Sequence, residues 1–151
     1  MRFISRRDAL LLIPGVTGLA WSGTVERSQA TPAEVAIEIG RFTGGRAADS
    51  GRIAIDLPEI AENGNSITLA FDIDHPMTPD SHVTEVLVVA DSNPSPRVAS
   101  FRFTPMSGRA AAATRIRLAG TQVVSVLAKT SEGKLFVAQR QVKVTVGGCG
   151  G

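Results

Sequence analysis

Between Arg52 and Val146 apolar and polar residues alternate at every second position in short runs, and each run ends at Pro, Gly, Asn or Ser. A period of two sends successive side chains to opposite faces of an extended backbone, so this span builds half-buried strands rather than amphipathic helices. Ile53, Ile55 and Leu57 alternate with Ala54 and Asp56 until Pro58 stops the run; Ile67, Leu69, Phe71 and Ile73 alternate with Thr68, Ala70 and Asp72 after the Asn63-Gly64-Asn65 turn. Val83 to Ala90 is the most continuously apolar stretch and reads as a central strand. It is closed by Asn93-Pro94-Ser95-Pro96, where two prolines cannot donate to a ladder. Ala99, Phe101 and Phe103 then face one way, Ile116 and Leu118 alternate with Arg115 and Arg117, and Val124, Val126 and Ala128 follow Gly120. Ser131-Glu132-Gly133 turns the chain into a last strand, Lys134 to Val146. About seven short strands without interleaved helices predict an all-β domain, an immunoglobulin-like antiparallel β-sandwich over residues 52–146, with a small antiparallel barrel as the alternative.

The residues before this domain divide in two. Arg6-Arg7, the apolar run from Leu10 toward Trp21, and the small-residue exit Ser28-Gln29-Ala30 form an export signal over residues 1–30, too short in its apolar part to span a bilayer. The paired arginines favour the twin-arginine route, an ordinary secretory signal being the alternative, and both give a periplasmic, exported protein. Residues 31–51 are an N-terminal helix and linker. Thr31 can cap, Pro32 suits the first helical position, and apolar Val35, Ile37 and Ile39 lead to a stop at Gly40, with an edge strand as the alternative. Thr43 to Gly51, rich in Gly and Ala, reads as a mobile link.

Charge narrows the partners. The chain holds 16 Lys+Arg and 14 Asp+Glu, but Arg2, Arg6, Arg7, Arg27, Asp8 and Glu26 leave with the signal. The mature chain is then formally neutral, and its bases are scattered among acids, which argues against nucleic acid. No second long apolar segment follows, so no membrane association is expected after cleavage. Trp21 lies in the signal and Tyr is absent, which excludes aromatic stacking platforms.

The sole cysteine, Cys149, stands in Gly147-Gly148-Cys149-Gly150-Gly151 directly after the valines Val142, Val144 and Val146. One cysteine makes no internal disulfide, and in an oxidising compartment a leftover cysteine implies intermolecular pairing or a reactive thiol. Glycine offers no side chain to cover it. At about 3.3–3.6 Å per residue the thiol could stand on the order of 10 Å past the last strand and swing on Gly147 and Gly148. No Lys, Arg or His neighbours it in sequence, so nothing local activates it as an enzyme nucleophile. The chemistry therefore falls to partner enzymes, and the chain is read as a non-catalytic substrate carrier with no cofactor. His75 and His82, with Asp74 and Asp80, lack a spacing that would converge on a metal, and no nucleophile motif or phosphate-binding loop is present.

The terminal pentapeptide resembles the cysteine arm of the SoxY family of sulfur carriers. Segments in the same order strengthen the likeness: Ile55 to Gly64, His75-Pro76-Met77, Asn93-Pro94-Ser95-Pro96 and Thr114 to Ala119. The resemblance implies an immunoglobulin-like sandwich paired with a small SoxZ-like β protein, and covalent sulfur attachment at Cys149. It further implies loading by a SoxAX-type haem protein, sulfate release by a SoxB-type hydrolase and oxidation of the remaining sulfur by a SoxCD-type dehydrogenase. Two rival readings stand beside it: an immunoglobulin-like interaction module crosslinked through Cys149, and a ubiquitin-like carrier using Gly150-Gly151 as a thiocarboxylate.

Overall fold

A computed structural model describes residues 30–148. Eight strands form two sheets: β1 (Ile53–Asp56), β2 (Ile60–Asn63), β3 (Ile67–Ile73), β4 (Val83–Ala90), β5 (Arg97–Arg102), β6 (Ala110–Ile116), β7 (Gln122–Thr130) and β8 (Leu135–Val146). The small sheet has the order β1-β3-β6 and the large one β2-β8-β7-β4-β5. The expected all-β sandwich is therefore present. The alternation in β3 is fully realised, with Ile67, Leu69, Phe71 and Ile73 buried and Thr68 exposed. These side chains meet Val86, Val88, Val124, Val126, Ala128, Val142 and Val144 of the large sheet in one core. Phe71 anchors it, with edge-to-face contacts to Phe101 and Phe103 at centroid distances of 5.1 and 6.4 Å.

The sandwich is not wholly antiparallel. Pro58 ends β1, and the chain crosses at once to the other sheet, where β2 pairs parallel to the end of β8 with Ile60 opposite Lys143 and Asn63 opposite Val146. β8 is long enough for two neighbours: it pairs with β7 over Leu135–Val142 on one edge, and β2 takes the other edge from Lys143 to Val146.

The amino-terminal segment departs further from expectation. The helix α1 runs Pro32–Thr43, past Gly40, with a Thr31–Glu34 capping box at one end and Gly44 in the left-handed region (φ 64°) at the other. A helical period brings Val35, Ile39 and Phe42, not Ile37, onto one face, and this face covers Leu87, Val89, Leu127 and Leu135 on the outside of the large sheet. Burying Phe42 outweighs the local cost of a mid-helix glycine, which explains why the helix does not stop at Gly40. The stretch after it is not a mobile link: Asp49 bonds Leu135 and Val137 through its backbone at 2.8 and 2.9 Å. β4 and β7 are thus buried on both faces, which accounts for their continuous apolar character.

Glu38 fastens α1 to the edge strand β5. Its carboxylate accepts from Arg97 Nε at 3.1 Å and from Arg41 at 2.8 Å. The Arg97 bond, ahead of Arg41, holds the carboxyl below its ordinary pKa despite an opposing contribution from burial. A depressed carboxyl pKa contributes stability that is present above the unfolded value and lost as pH falls through the folded one. Glu38→Gln should therefore cost at most about 1 kcal/mol at neutral pH, and the difference from the native chain should vanish in acid. Denaturant melts at neutral and acid pH check both.

Candidate functional site

The site to be explained is the place where the chain leaves the sandwich toward its cysteine. Cys149, Gly150 and Gly151 lie outside the described residues, as do Arg6 and Arg7 of the export signal. The two glycines before the cysteine are described: Gly148 is hydrogen-bonded to Leu118, and Gly147 closely approaches Ala119.

Three backbone segments meet at this point. The N–H of Gly64, directly after β2, donates to the carbonyl of Val146 at 2.8 Å; the N–H of Leu118, after β6, donates to the carbonyl of Gly64 at 2.8 Å; the N–H of Gly148 donates to the carbonyl of Leu118 at 2.9 Å. The seam ties the end of β8 in the large sheet to the chain leaving the small sheet. Gly148 is buried, Gly147 exposed. Approach is so close that no side chain fits: a Cβ on Gly64 would lie 2.2 Å from Leu118 O and 2.6 Å from Gly148 N. One on Gly147 would lie 2.1 Å from Ala119 O, and one on Gly148 2.8 Å from Gly64 O. Glycine is required here by space, whereas the sequence suggested glycine for flexibility. Gly147 and Gly148, expected from the sequence as the arm's flexible residues, stand in the structure at a close backbone approach.

The Leu118–Gly120 segment that receives Gly147 and Gly148 is itself held from the core. Asn93, 3% exposed, donates through Nδ2 to Arg117 O at 2.8 Å and accepts at Oδ1 from Ala119 N and from Gln122 Nε2, both at 2.9 Å. Gln122, also 3% exposed, completes the network by accepting from Ser92 N at 2.9 Å. Fully partnered polar groups of this kind fix one geometry, because leaving any of them unpaired while buried is costly. Thr121 adds a stitch to the strand itself, its hydroxyl accepting from Val144 N at 3.0 Å. Asn93 was legible in the sequence only as a turn residue beside two prolines, and Gly64 only as the middle of Asn63-Gly64-Asn65. The one signal for their joint role is the glycine at 64 together with those at 147 and 148.

Other titratable side chains stand elsewhere. His75 Nε2 lies 3.2 Å from Ser81 Oγ, its ring tilted against Phe136 at 5.8 Å. Burial lowers its pKa. The cavity beside it, about 590 Å³ and lined by Arg52, Glu132, Lys134 and Phe136 among others, is at the start of β8, the opposite end of that strand from Gly148. Among the described residues no three His, Cys, Asp or Glu side chains gather as metal ligands, and no helix is long and apolar enough to cross a membrane.

Fold and seam together define a two-sheet β-sandwich in which the chain just after the last strand, at Gly148, is held against Leu118. The family model described as sulfur oxidation protein SoxY matches residues 39–149, a span that includes both the seam and Cys149. The sulfur carrier protein SoxY from Chlorobium limicola f thiosulfatophilum is similar in structure at a TM-score of 0.62 and 30% identity, over 76% of this chain and 98% of that one. Superoxide reductase (neelaredoxin) from Ignicoccus hospitalis is similar at a TM-score of 0.56 but 15% identity, over 76% of this chain and 94% of that one, which shows a shared fold alone. No curated protein matches the sequence. The chain belongs to the SoxY family, and with it to the sulfur carriers of sulfur oxidation, which work within a system of partner proteins.

Proposed function

We propose that this chain carries sulfur intermediates covalently on Cys149 in the periplasm and presents them to partner enzymes. The observation that carries the reading is the family match reaching Cys149, the chain's only cysteine. The geometry of the strand before it supports the reading, since β8 is continuous through Val146 and its end is fixed. The thiocarboxylate reading does not use Cys149, and the crosslinked reading leaves the match to a sulfur oxidation family unexplained.

The chemistry follows from the thiol. Joining thiosulfate to Cys149 makes a sulfur–sulfur bond, releases the thiol proton and passes two electrons to an oxidant, the role of a SoxAX-type haem protein. Hydrolysis of the terminal sulfur–sulfur bond by a SoxB-type enzyme adds water, releases sulfate and a proton, and leaves a persulfide on the cysteine. A SoxCD-type dehydrogenase would oxidise that remaining sulfur. In each step Cys149 holds the substrate while another protein supplies the catalytic groups. A small SoxZ-like β protein is the permanent partner in this reading, and the Arg6-Arg7 leader accounts for export of the pair.

The test is the state of the thiol. Protein purified from periplasm of cells oxidising thiosulfate should carry on Cys149 added sulfur that mild reduction removes, leaving one thiol, and a small β protein should co-purify with it. A cysteine without added sulfur, or one blocked only by a disulfide to a second copy, would contradict the reading, and recovery of the protein solely from cytoplasm would contradict the location.

A further inference from the structure

We infer that the open side of the sandwich between β5 and β6 binds a free, fully ionised sulfur oxyanion of the sulfate or thiosulfate type, held by Arg97, Arg115 and Arg117. Nothing in this depends on Cys149 or on the carrier reading. β5 and β6 are each the last strand at one edge of their sheets, and a cavity of about 380 Å³ lies between them. Val98, Ala99 and Ile116 supply an apolar lining continuous with the core. The three arginines complete the lining together with Ser95 and Thr114.

Charge decides the kind of ligand. No acidic residue lines the cavity, and among the described residues neither Arg115 nor Arg117 has a carboxylate partner. Arg97 gives Nε to Glu38 at 3.1 Å, and Arg115 gives Nη1 to Ser66 Oγ at 3.2 Å, so most donors of the three guanidinium groups are unused. A guanidinium fork matches the edge of an oxyanion, and like charges gathered without an acid gain from an anion between them. Sulfate and thiosulfate carry no proton near neutral pH and only accept hydrogen bonds, whereas hydrogen phosphate keeps an O–H that seeks an acceptor. A lining rich in donors and free of carboxylates favours the sulfur oxyanion.

The site is also built in advance. Two segments that stand out in the sequence, Asn93-Pro94-Ser95-Pro96 and Thr114 to Arg117, meet at this cavity. The prolines fix φ on either side of Ser95, and Ala90 N donates to Pro96 O at 2.9 Å, which stiffens the loop that carries Ser95 and Arg97. Asn93, buried, donates to Arg117 O at 2.8 Å and accepts from Ala119 N at 2.9 Å, so the backbone at Arg117 is set as well. A backbone already ordered loses little freedom when the anion arrives.

The experiment titrates isotope-labelled protein purified from periplasm with sodium sulfate, sodium thiosulfate and sodium phosphate, each against sodium chloride at equal ionic strength. Amide resonances of Ser95, Arg97, Thr114, Arg115 and Arg117 should shift saturably with sulfate, thiosulfate or both, their affinities telling which is the ligand, and not with chloride. Arg115→Ala and Arg117→Ala should each weaken binding roughly 10-fold, the scale of one charge-assisted hydrogen bond. Neither should move the melting temperature, since neither side chain holds a carboxylate. Arg140→Ala removes a positive charge from a cavity on β8, which β7 and β4 separate from β5, and should leave the affinity as it is. Shifts that never saturate, that saturate at other residues or that survive both arginine substitutions would overturn the inference, as would tighter binding of phosphate than of either sulfur oxyanion. Loss of association with partner enzymes in the arginine variants, without any small-anion binding by the native protein, would overturn it in favour of an acidic protein surface docking here.

Discussion

Cys149→Ser is expected to abolish sulfur carriage altogether and to leave the folded chain nearly untouched. A hydroxyl in place of the thiol is close in size but cannot form a sulfur–sulfur bond with the substrate, so no partner enzyme can load it. The exchange keeps nearly the same size in a glycine-flanked segment, so a stability change below about 0.5 kcal/mol is expected. Thiosulfate oxidation by the complete system and the melting temperature of the purified variant measure the two halves separately. Retained oxidation would contradict the carrier reading, and a melted fold would assign the cysteine a structural role.

Asn93→Ala should be the opposite case, with stability lost first and carriage lost as a consequence. The substitution strands the Ala119 N–H, removes one of the two acceptors of Gln122 Nε2, whose bond to Gly120 O remains, and leaves Arg117 O without its 2.8 Å donor. Each buried group left without a partner costs about 1–3 kcal/mol. Shared solvation will reduce the sum, so a loss of about 2–4 kcal/mol is expected in chemical denaturation. Because Leu118 O also accepts from Gly148 N, protection of the Gly148 amide should decrease in this variant even under conditions where the domain stays folded. A change below about 0.5 kcal/mol, the level of an ordinary surface substitution, would mean that the network does not hold the loop.

The two substitutions separate what the sequence makes legible from what it does not. Strand alternation depends on local periodicity, and so β1, β3, β4 and the Arg115-Ile116-Arg117-Leu118 run can be read directly; the buried residues of β3 fall where the period of two puts them. Relations between distant segments have no local signature. The parallel pairing of β2 with β8 fills the edge of β8 opposite β7, an edge that exists only once the sheet is assembled. The helix passes Gly40 because Phe42 finds Leu87 and Leu135 on a sheet face whose exposure the sequence alone does not define.

The glycines near the terminus show the same limit in a form that bears on function. Glycine is selected both where a backbone must bend and where another backbone must approach, and a linear reading cannot tell these apart. Gly147 and Gly148 were expected to bend. The structure assigns them to close approach, with Ala119 O and Gly64 O occupying the space a side chain would need. Valine at either position therefore does more than stiffen a tail: it must push the Ala119–Gly120 or Gly64–Asn65 backbone away.

The most direct test of the central claim is intact-mass measurement of the carboxyl-terminal peptide from protein purified out of cells growing on thiosulfate. The account predicts a peptide containing Cys149 with sulfur-containing additions that disappear on reduction, and no such additions elsewhere in the chain. An unmodified Cys149 peptide throughout active thiosulfate oxidation, or additions confined to other residues, would contradict it.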